Sequence, residues 1–322
     1  MQDLKQAIED LTPWLESLEA ERKAAVAQSF KGVALGLAGG GAFALIGFAA
    51  SWPAPVLLIG AGLILGGLAI WGAQPLNTLR KTVKTGLNDR FAEAFGMRYR
   101  AEVHDPIRFD AFRQHGLLPG YDRRNFEDHF SGEAHGADFD IYEAHLEQKR
   151  RTKNRTYYVT VFHGVLIRIN FPRTVEGVTL VTRDAGVFNA LEGWAKKTFG
   201  GDKLERIGLV DPTFEKAFEV YGTDQVMARY LLTPSFMERL LKLESELKGK
   251  NVRCVFDEKL GEGDGRGELL IAAETGNKFE AGSMFKPLTD HDRIANLHGE
   301  FAMIDDIINT VLEPPSEGGG VA

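Results

Sequence analysis

Residues 32–79 decide how this chain is read: GVALGLAGGGAFALIGFAA (32–50), SWPAP (51–55), VLLIGAGLILGGLAIWGA (56–73) and QPLNTL (74–79), without one charged side chain. A helix needs roughly 20 apolar residues to cross about 30 Å of hydrocarbon. The stretch supplies two such segments, 32–50 and 56–73. The runs are too long for barrel strands, and helices satisfy their own backbone groups in lipid. Pro53 and Pro55 place the break between them, because proline cannot continue a helix. Trp52 and Trp71 flank the second run, where indoles favour the membrane interface. The reading is a transmembrane helical hairpin over 32–75. A cleaved signal peptide does not fit, since about thirty mostly polar residues precede the first run and a second run follows.

The glycines are spaced for close helix approach. Gly32, Gly36 and Gly40 recur every four residues on the first helix, and Gly62 and Gly66 do so on the second. Small residues at that interval let two membrane helices touch backbone to backbone. The flanks set the orientation. Arg22, Lys23 and Lys31 precede the hairpin, Arg80, Lys81 and Lys84 follow it, and SWPAP carries no charge. Basic flanks favour the cytoplasmic side, so the expectation is a multi-pass membrane protein with both termini cytoplasmic.

Outward from the hairpin, residues 1–31 read as an amphipathic helical segment. Leu4, Ile8, Leu11, Leu15 and Leu18 form its apolar stripe, expected to pack on the protein's own domain. Thr12–Pro13 interrupts it with the signature of a new helix start. Residues 76–312 read as one cytoplasmic α+β domain, opened by a helical stalk that ends at Gly96. A short helix is expected from Pro106 to His115.

Residues 125–184 alternate and are rich in β-branched types, which predicts an antiparallel meander turning first at a Gly-Ala pair. A short helix is expected over Val187–Phe199. Two strands, LERIGLV and FEKAFEVY, are expected around Asp211–Pro212. Thr233–Pro234 starts a helix striped by Phe236, Leu240, Leu243 and Leu247. A hairpin over 251–273 turns at GEGDGRG, and a last helix starts near Thr289. The tail 313–322, EPPSEGGGVA, reads as disordered. Strands outnumber helices and do not alternate with them regularly, hence α+β.

Two segments resemble a known family. VFHGVLIRINFPRTVEGVTLVTRDAG (161–186) and FEKAFEVYGTDQVMARYLLTPSFMERL (214–240), together with the hairpin, resemble the bacterial family called domain of unknown function thirty-one thirty-seven. The resemblance implies a bacterial membrane protein and supplies no catalytic or binding residues.

Composition and motifs narrow the function classes. The chain has 322 residues, a net charge of −7 and one cysteine, Cys254. The acidic balance argues against general nucleic-acid binding, and no internal disulfide can form. Residues 128–145 hold Asp128, His129, Glu133, His135, Asp138, Asp140, Glu143 and His145, all of metal-ligand type. His129 and His135 would lie roughly 20 Å apart on a strand rising about 3.3 Å per residue. A site would therefore need Glu133 or His135 to meet Asp138 or Asp140 across the turn, with a third ligand such as His163 from the next strand. Lys149, Arg150, Arg151, Lys153 and Arg155 form a basic cluster suited to anionic headgroups.

GEGDGRG matches neither phosphate-loop pattern, and neither HExxH nor GxSxG occurs. The expected function is a membrane-anchored, non-enzymatic binding or scaffold module. It presents the α+β domain to a protein partner and carries no cofactor. The alternatives are a metal-dependent hydrolase using Glu133, His135, Asp138 and His163, and an anionic-lipid-binding module using the basic cluster.

Overall fold

Leu4–Ala49 folds as one helix, α1, and Ala54–Ala94 as a second, α2. Thr12–Pro13 does not start a new helix. The helix runs through Pro13, and the Thr12 hydroxyl donates to the Ile8 carbonyl one turn back (2.6 Å) instead of capping. The break between the helices falls at residues 50–53, where Ser51 takes a positive φ of 57°. α2 stops just before Gly96, whose φ of 72° forms the left-handed turn that follows it.

The structure is a computed structural model. It describes residues 4–153, 155–183, 204–246, 252–261 and 266–312. The expected helix over Val187–Phe199 and the tail 313–322 lie outside the described residues.

The chain divides into two compact units. The first comprises Met1–Phe91 with Phe279–Gly299, and the second Ala92–Lys278 with Glu300–Ala322. Residues 76–91 and 279–299 thus group with the hairpin helices rather than with the sheet. In the first unit, Leu11 and Leu15 of α1 are buried, as are Leu79, Val83 and Leu87 of α2, and so are Phe279, Leu288 and Ile294 of the returning segment. Polar ties join them. Arg22 donates to the Met284 carbonyl (3.0 Å), Asn88 donates to that of Phe279 (3.0 Å), and Glu280 is held by Arg80 and Lys84 (2.8 Å each).

Between residues 33 and 71 the surface changes character. Leu45, Phe48, Leu58 and Leu63 are each at least 72% exposed. The most apolar 18-residue windows of α1 and α2 reach mean hydropathies of 1.8 and 2.2. Both helices are long and apolar enough to cross a membrane.

Among the described residues, the second unit is built on a nine-stranded antiparallel sheet. Its strands are β1 (Arg98–Glu102), β2 (Arg123–Ala134), β3 (Ala137–Arg151), β4 (Thr156–Thr174), β5 (Val178–Arg183), β6 (Glu205–Arg206), β7 (Phe218–Gly222), β8 (Arg253–Asp257) and β9 (Arg266–Ala273). They are ordered β1-β2-β3-β4-β9-β8-β5-β7-β6. With the helices this makes an α+β architecture.

The β2–β3 turn is His135–Gly136, both at positive φ (51° and 73°), rather than the Gly-Ala pair. Such a turn matches the twist of the strands it joins. FEKAFEVY is not one strand. Its first half belongs to helix Pro212–Ala217, because Asp211 caps the Thr213 and Phe214 amides (2.7 and 3.1 Å) and Pro212 sits at the first helical position.

One sheet face packs on the segment between β1 and β2, which carries the short helix α3 (Phe109–Gln114). Phe109, Phe112, Leu117 and Leu118 close over Tyr142, Ala144, Leu166 and Leu270. On the other face Phe130 meets Phe301 (5.0 Å between ring centroids) and Phe256 meets Phe236 (5.5 Å). Phe236 belongs to helix Pro234–Glu246 and Phe301 to helix His291–Leu312, and Asp306 bridges Arg239 and Lys242 between those helices (3.1 Å each).

Candidate functional site

A bulge in β2 builds the most polar feature of the sheet. The β2–β3 register slips between Glu127 and Phe130, and Asp128 takes a φ of 54° with its side chain against the Tyr99 hydroxyl (2.6 Å). The extra residue switches which face each later side chain takes. His129 therefore joins Phe126 and Tyr142 on the α3 side, while Phe130 turns to the other.

From His129 a ladder of alternating charge crosses the sheet. Arg100, its cross-strand partner on β1, donates to His129 Nδ1 (3.0 Å), and His129 Nε2 contacts Asp140 Oδ1 (2.9 Å). A guanidinium only donates. Nδ1 must therefore be bare, and the ring is neutral with its proton on Nε2, aimed at Asp140. Arg168, opposite Asp140 on β4, reaches its Oδ2 (3.5 Å) and donates twice to Glu268 Oε1 (3.0 and 2.6 Å). Arg108 closes the other side of Glu268 (2.7 Å to Oε2) and also donates to the Leu260 carbonyl (2.6 Å). Glu268 is 1% exposed and Arg168 8%. Buried charges of this kind are tolerable only when paired.

The ladder opens onto a cleft of about 740 Å³ between β1 and residues 103–108, lined by Arg100, Glu102, His104, Asp105, Arg108 and His129. Tyr142 lies beneath it. Burial, and then the Asp140 charge, push its phenol well above the ordinary range, so it stays protonated and donates to the Ile107 carbonyl (3.0 Å). Both His129 nitrogens are occupied, so this imidazole is a positioned hydrogen-bond relay rather than a vacant base.

The opposite face carries a smaller cluster. His163 Nε2 donates to the buried Glu143 (2.7 Å), whose other oxygen accepts the Lys278 amide (3.1 Å). The His145 ring stacks on His163 (4.5 Å), and His145 reaches the Thr160 hydroxyl (2.8 Å). A pocket of about 190 Å³ opens here beside Asn125 and Asn277.

The four residues expected to hold a metal are not brought together. Glu133 faces Asp138 at the closed end of the β2–β3 hairpin, and His135 is spent in the turn. His163 instead sits opposite His145, seven residues further along β3 than Asp138, roughly 23 Å at strand rise. Strand alternation fixes the face a side chain takes, not how far along β3 its neighbour lies from the turn. Among the described residues, no group of three or more His, Cys, Asp and Glu side chains could hold a metal ion.

The basic cluster occupies the far end of the β3–β4 hairpin, with Lys149, Arg150, Arg151, Lys153 and Arg155 all exposed. Of the glycines, Gly32 lies against the Leu68 carbonyl and Gly72 Cα. Gly36 lies against Leu65, and Gly40 against the Ala61 carbonyl. Around Gly62 and Gly66 an added methyl would meet nothing within 4 Å; on α2 the close contacts fall at Gly72 and Gly60 instead. Cys254 is fully buried, and burial pushes its thiol far up, out of nucleophilic range.

Comparison with known proteins agrees with the family resemblance. Residues 160–312 match the model of DUF3137, a protein family of unknown function. Both resembling segments fall inside that match, and the hairpin lies outside it. No curated protein sequence matches the chain. Among solved structures, the crystal structure of the mycobacterial trehalose monomycolate transport factor A, TtfA, aligns over 73% of this chain and 98% of its own. The identity is 13% and the TM-score 0.31.

Proposed function

We propose that the chain is a membrane-anchored, non-enzymatic binding module. The α1–α2 hairpin holds it in a bacterial inner membrane, and the sheet unit recruits a protein partner from the cytoplasm. The observation that carries this reading is the surface of residues 33–71, where Leu45, Phe48, Leu58 and Leu63 stand open. An apolar patch of that extent is untenable in water and ordinary in lipid. Arg22, Lys23, Lys31, Arg80, Lys81 and Lys84 beside the two runs favour cytoplasmic termini.

The ladder supports the binding reading. Each side chain of the ladder is engaged by another, so the ladder gives the cleft a fixed shape and mixed charge. Arg100 and Glu102, exposed on the edge strand β1, are the contacts a polar segment of a partner would meet.

The test is purification of the full chain in mild detergent, with proteins and metals quantified together. The expected result is a stoichiometric protein companion that is lost on the double reversal R100E/E102K. Stoichiometric metal with no companion overturns the reading. A reporter fused after Ala322 is expected to behave as cytoplasmic, and periplasmic behaviour refutes the orientation.

A further inference from the structure

The β3–β4 hairpin outruns its neighbours. β2 pairs with β3 only as far as Arg123↔Glu147, and β9 pairs with β4 only as far as Ala273↔Val165. Beyond them the pairs Gln148↔Val159 to Arg151↔Thr156 continue as a two-stranded ribbon, with no further strand beside it among the described residues. From Glu147 to Thr152 it extends about 17 Å at strand rise. A free ribbon of two strands is marginal in water, so its composition is informative. Residues 148–153 and 155–159 hold five basic side chains and no acidic one, in a chain of net charge −7.

Two tyrosines are interleaved with the charges. Arg150 and Lys149 lie opposite Tyr157 and Tyr158. The Arg155 guanidinium stands 5.5 Å from the Tyr157 ring centre, and Arg123, from β2, stacks at 3.4 Å over Tyr158. Tyr157 remains 39% exposed. Tyr157 and Tyr158 are neighbours on one strand, so the two guanidinium–phenol contacts fall on opposite faces and make both faces of the ribbon charged and amphipathic.

We propose that this ribbon is a second membrane contact, an arm that docks on anionic phospholipid headgroups. The inference rests on the reading that the chain is anchored in a bilayer. The anchor supplies the surface at high effective concentration, and tyrosine is favoured at the interface. A long polyanion such as RNA would instead run past the arm onto an acidic protein. Each basic residue near an anionic surface raises partition about fivefold, so five set a ceiling of about three orders of magnitude. Contact must be close, because the attraction fades within about 8 Å at physiological salt.

The experiment places the full chain in lipid nanodiscs, either of phosphatidylcholine alone or with about a third phosphatidylglycerol, with a headgroup-attached quencher. Thr152→Cys carries the fluorophore, while the buried Cys254 stays unlabelled. At 50 mM salt, quenching at least fivefold stronger in the anionic discs is expected. It should be abolished by 500 mM salt and by K149Q/R150Q/R151Q/K153Q/R155Q, a surface substitution set that leaves the sheet intact. Equal quenching in both compositions, or quenching retained by the five-fold variant, overturns the arm. So does binding of a short RNA without lipid quenching. A chain that fails to enter the discs overturns the anchor, and the arm with it. Entry without quenching overturns the arm alone.

Discussion

Replacing Glu268 by glutamine changes the shape of the ladder little and its charge by one. Four hydrogen bonds from two guanidiniums converge on this carboxylate, three of them on Oε1. Hydrogen bonds to charged groups are worth roughly 1.5–3 kcal/mol each, and removing one partner of a buried ion pair costs about 3–5 kcal/mol. Arg108 is 37% exposed, so water screens part of its loss. Arg168 is not so relieved. Its remaining anion, Asp140, stands 3.5 Å away and is shared with His129. The glutamine NH2 also puts a donor in front of one of the two arginines.

The expected cost is about 3 kcal/mol, a fall of roughly 1.5 M in the urea midpoint for a slope of about 2 kcal/mol/M. The assay is urea unfolding of the detergent-solubilised chain, followed by the near-ultraviolet circular dichroism of the buried tyrosines. Arg168→Met, Glu268→Leu and the double variant R168M/E268L form a cycle beside E268Q. Because the double variant removes both members of the Arg168–Glu268 pair, its loss should fall at least 2 kcal/mol short of the summed single losses. A loss below about 0.5 kcal/mol for E268Q, or strict additivity in the cycle, refutes the claim that the ladder is an energetic unit.

Two further outcomes follow. Burial pushes the Glu280 carboxyl up, but its hydrogen bonds and charge contacts with Lys84 and Arg80 outweigh that and hold it below the usual glutamate value of 4.5. A carboxylate depressed in the folded state contributes stability that is full above its unfolded value and lost as pH falls through the folded one. E280Q should therefore be less stable than the parent at pH 6, with the gap closing below about pH 4.5; a gap independent of pH would refute the pairing. Gly32→Ala sets a methyl 2.5 Å from the Leu68 carbonyl and 2.8 Å from Gly72 Cα, backbone atoms that cannot rotate away. It should cost about 1–3 kcal/mol and lower the thermal midpoint in detergent, whereas Gly62→Ala should leave it unchanged or higher; equal effects would sink the helix contact.

The elements were legible where chemistry repeats along the chain. Forty-eight uncharged residues announce the hairpin, and alternation in 125–184 announces β2 to β5. The site was not, because its members are remote in sequence. Arg100, Arg108, Arg168 and Glu268 meet only through sheet order. A trace existed: Arg168 interrupts the apolar run VLIRINF and Glu268 precedes LLIAA, and a charge in a buried strand demands a partner. What no local rule provides is the bulge at Asp128. One inserted residue decides which face His129 takes, and so whether it meets Asp140. His163 failed as a ligand for the converse reason. Its partner His145 was set by the length of β3, not by its chemistry.

The first unit is discontinuous: residues 279–299 return to it after the whole sheet has been made. That imposes an order on biosynthesis. The hairpin leaves the ribosome first, but the stripe formed by Leu11, Leu15, Leu79, Val83 and Leu87 waits for Phe279, Leu288 and Ile294. Roughly 190 residues intervene, and at about 5–20 residues per second the delay is on the order of 10–40 s. Throughout that interval the nascent chain carries a bare leucine-rich seam, open to chaperones, proteases or a second copy. Residues 279–299 act as a closing clasp. A truncation near residue 278 would leave every strand of the sheet in place and still lose that clasp.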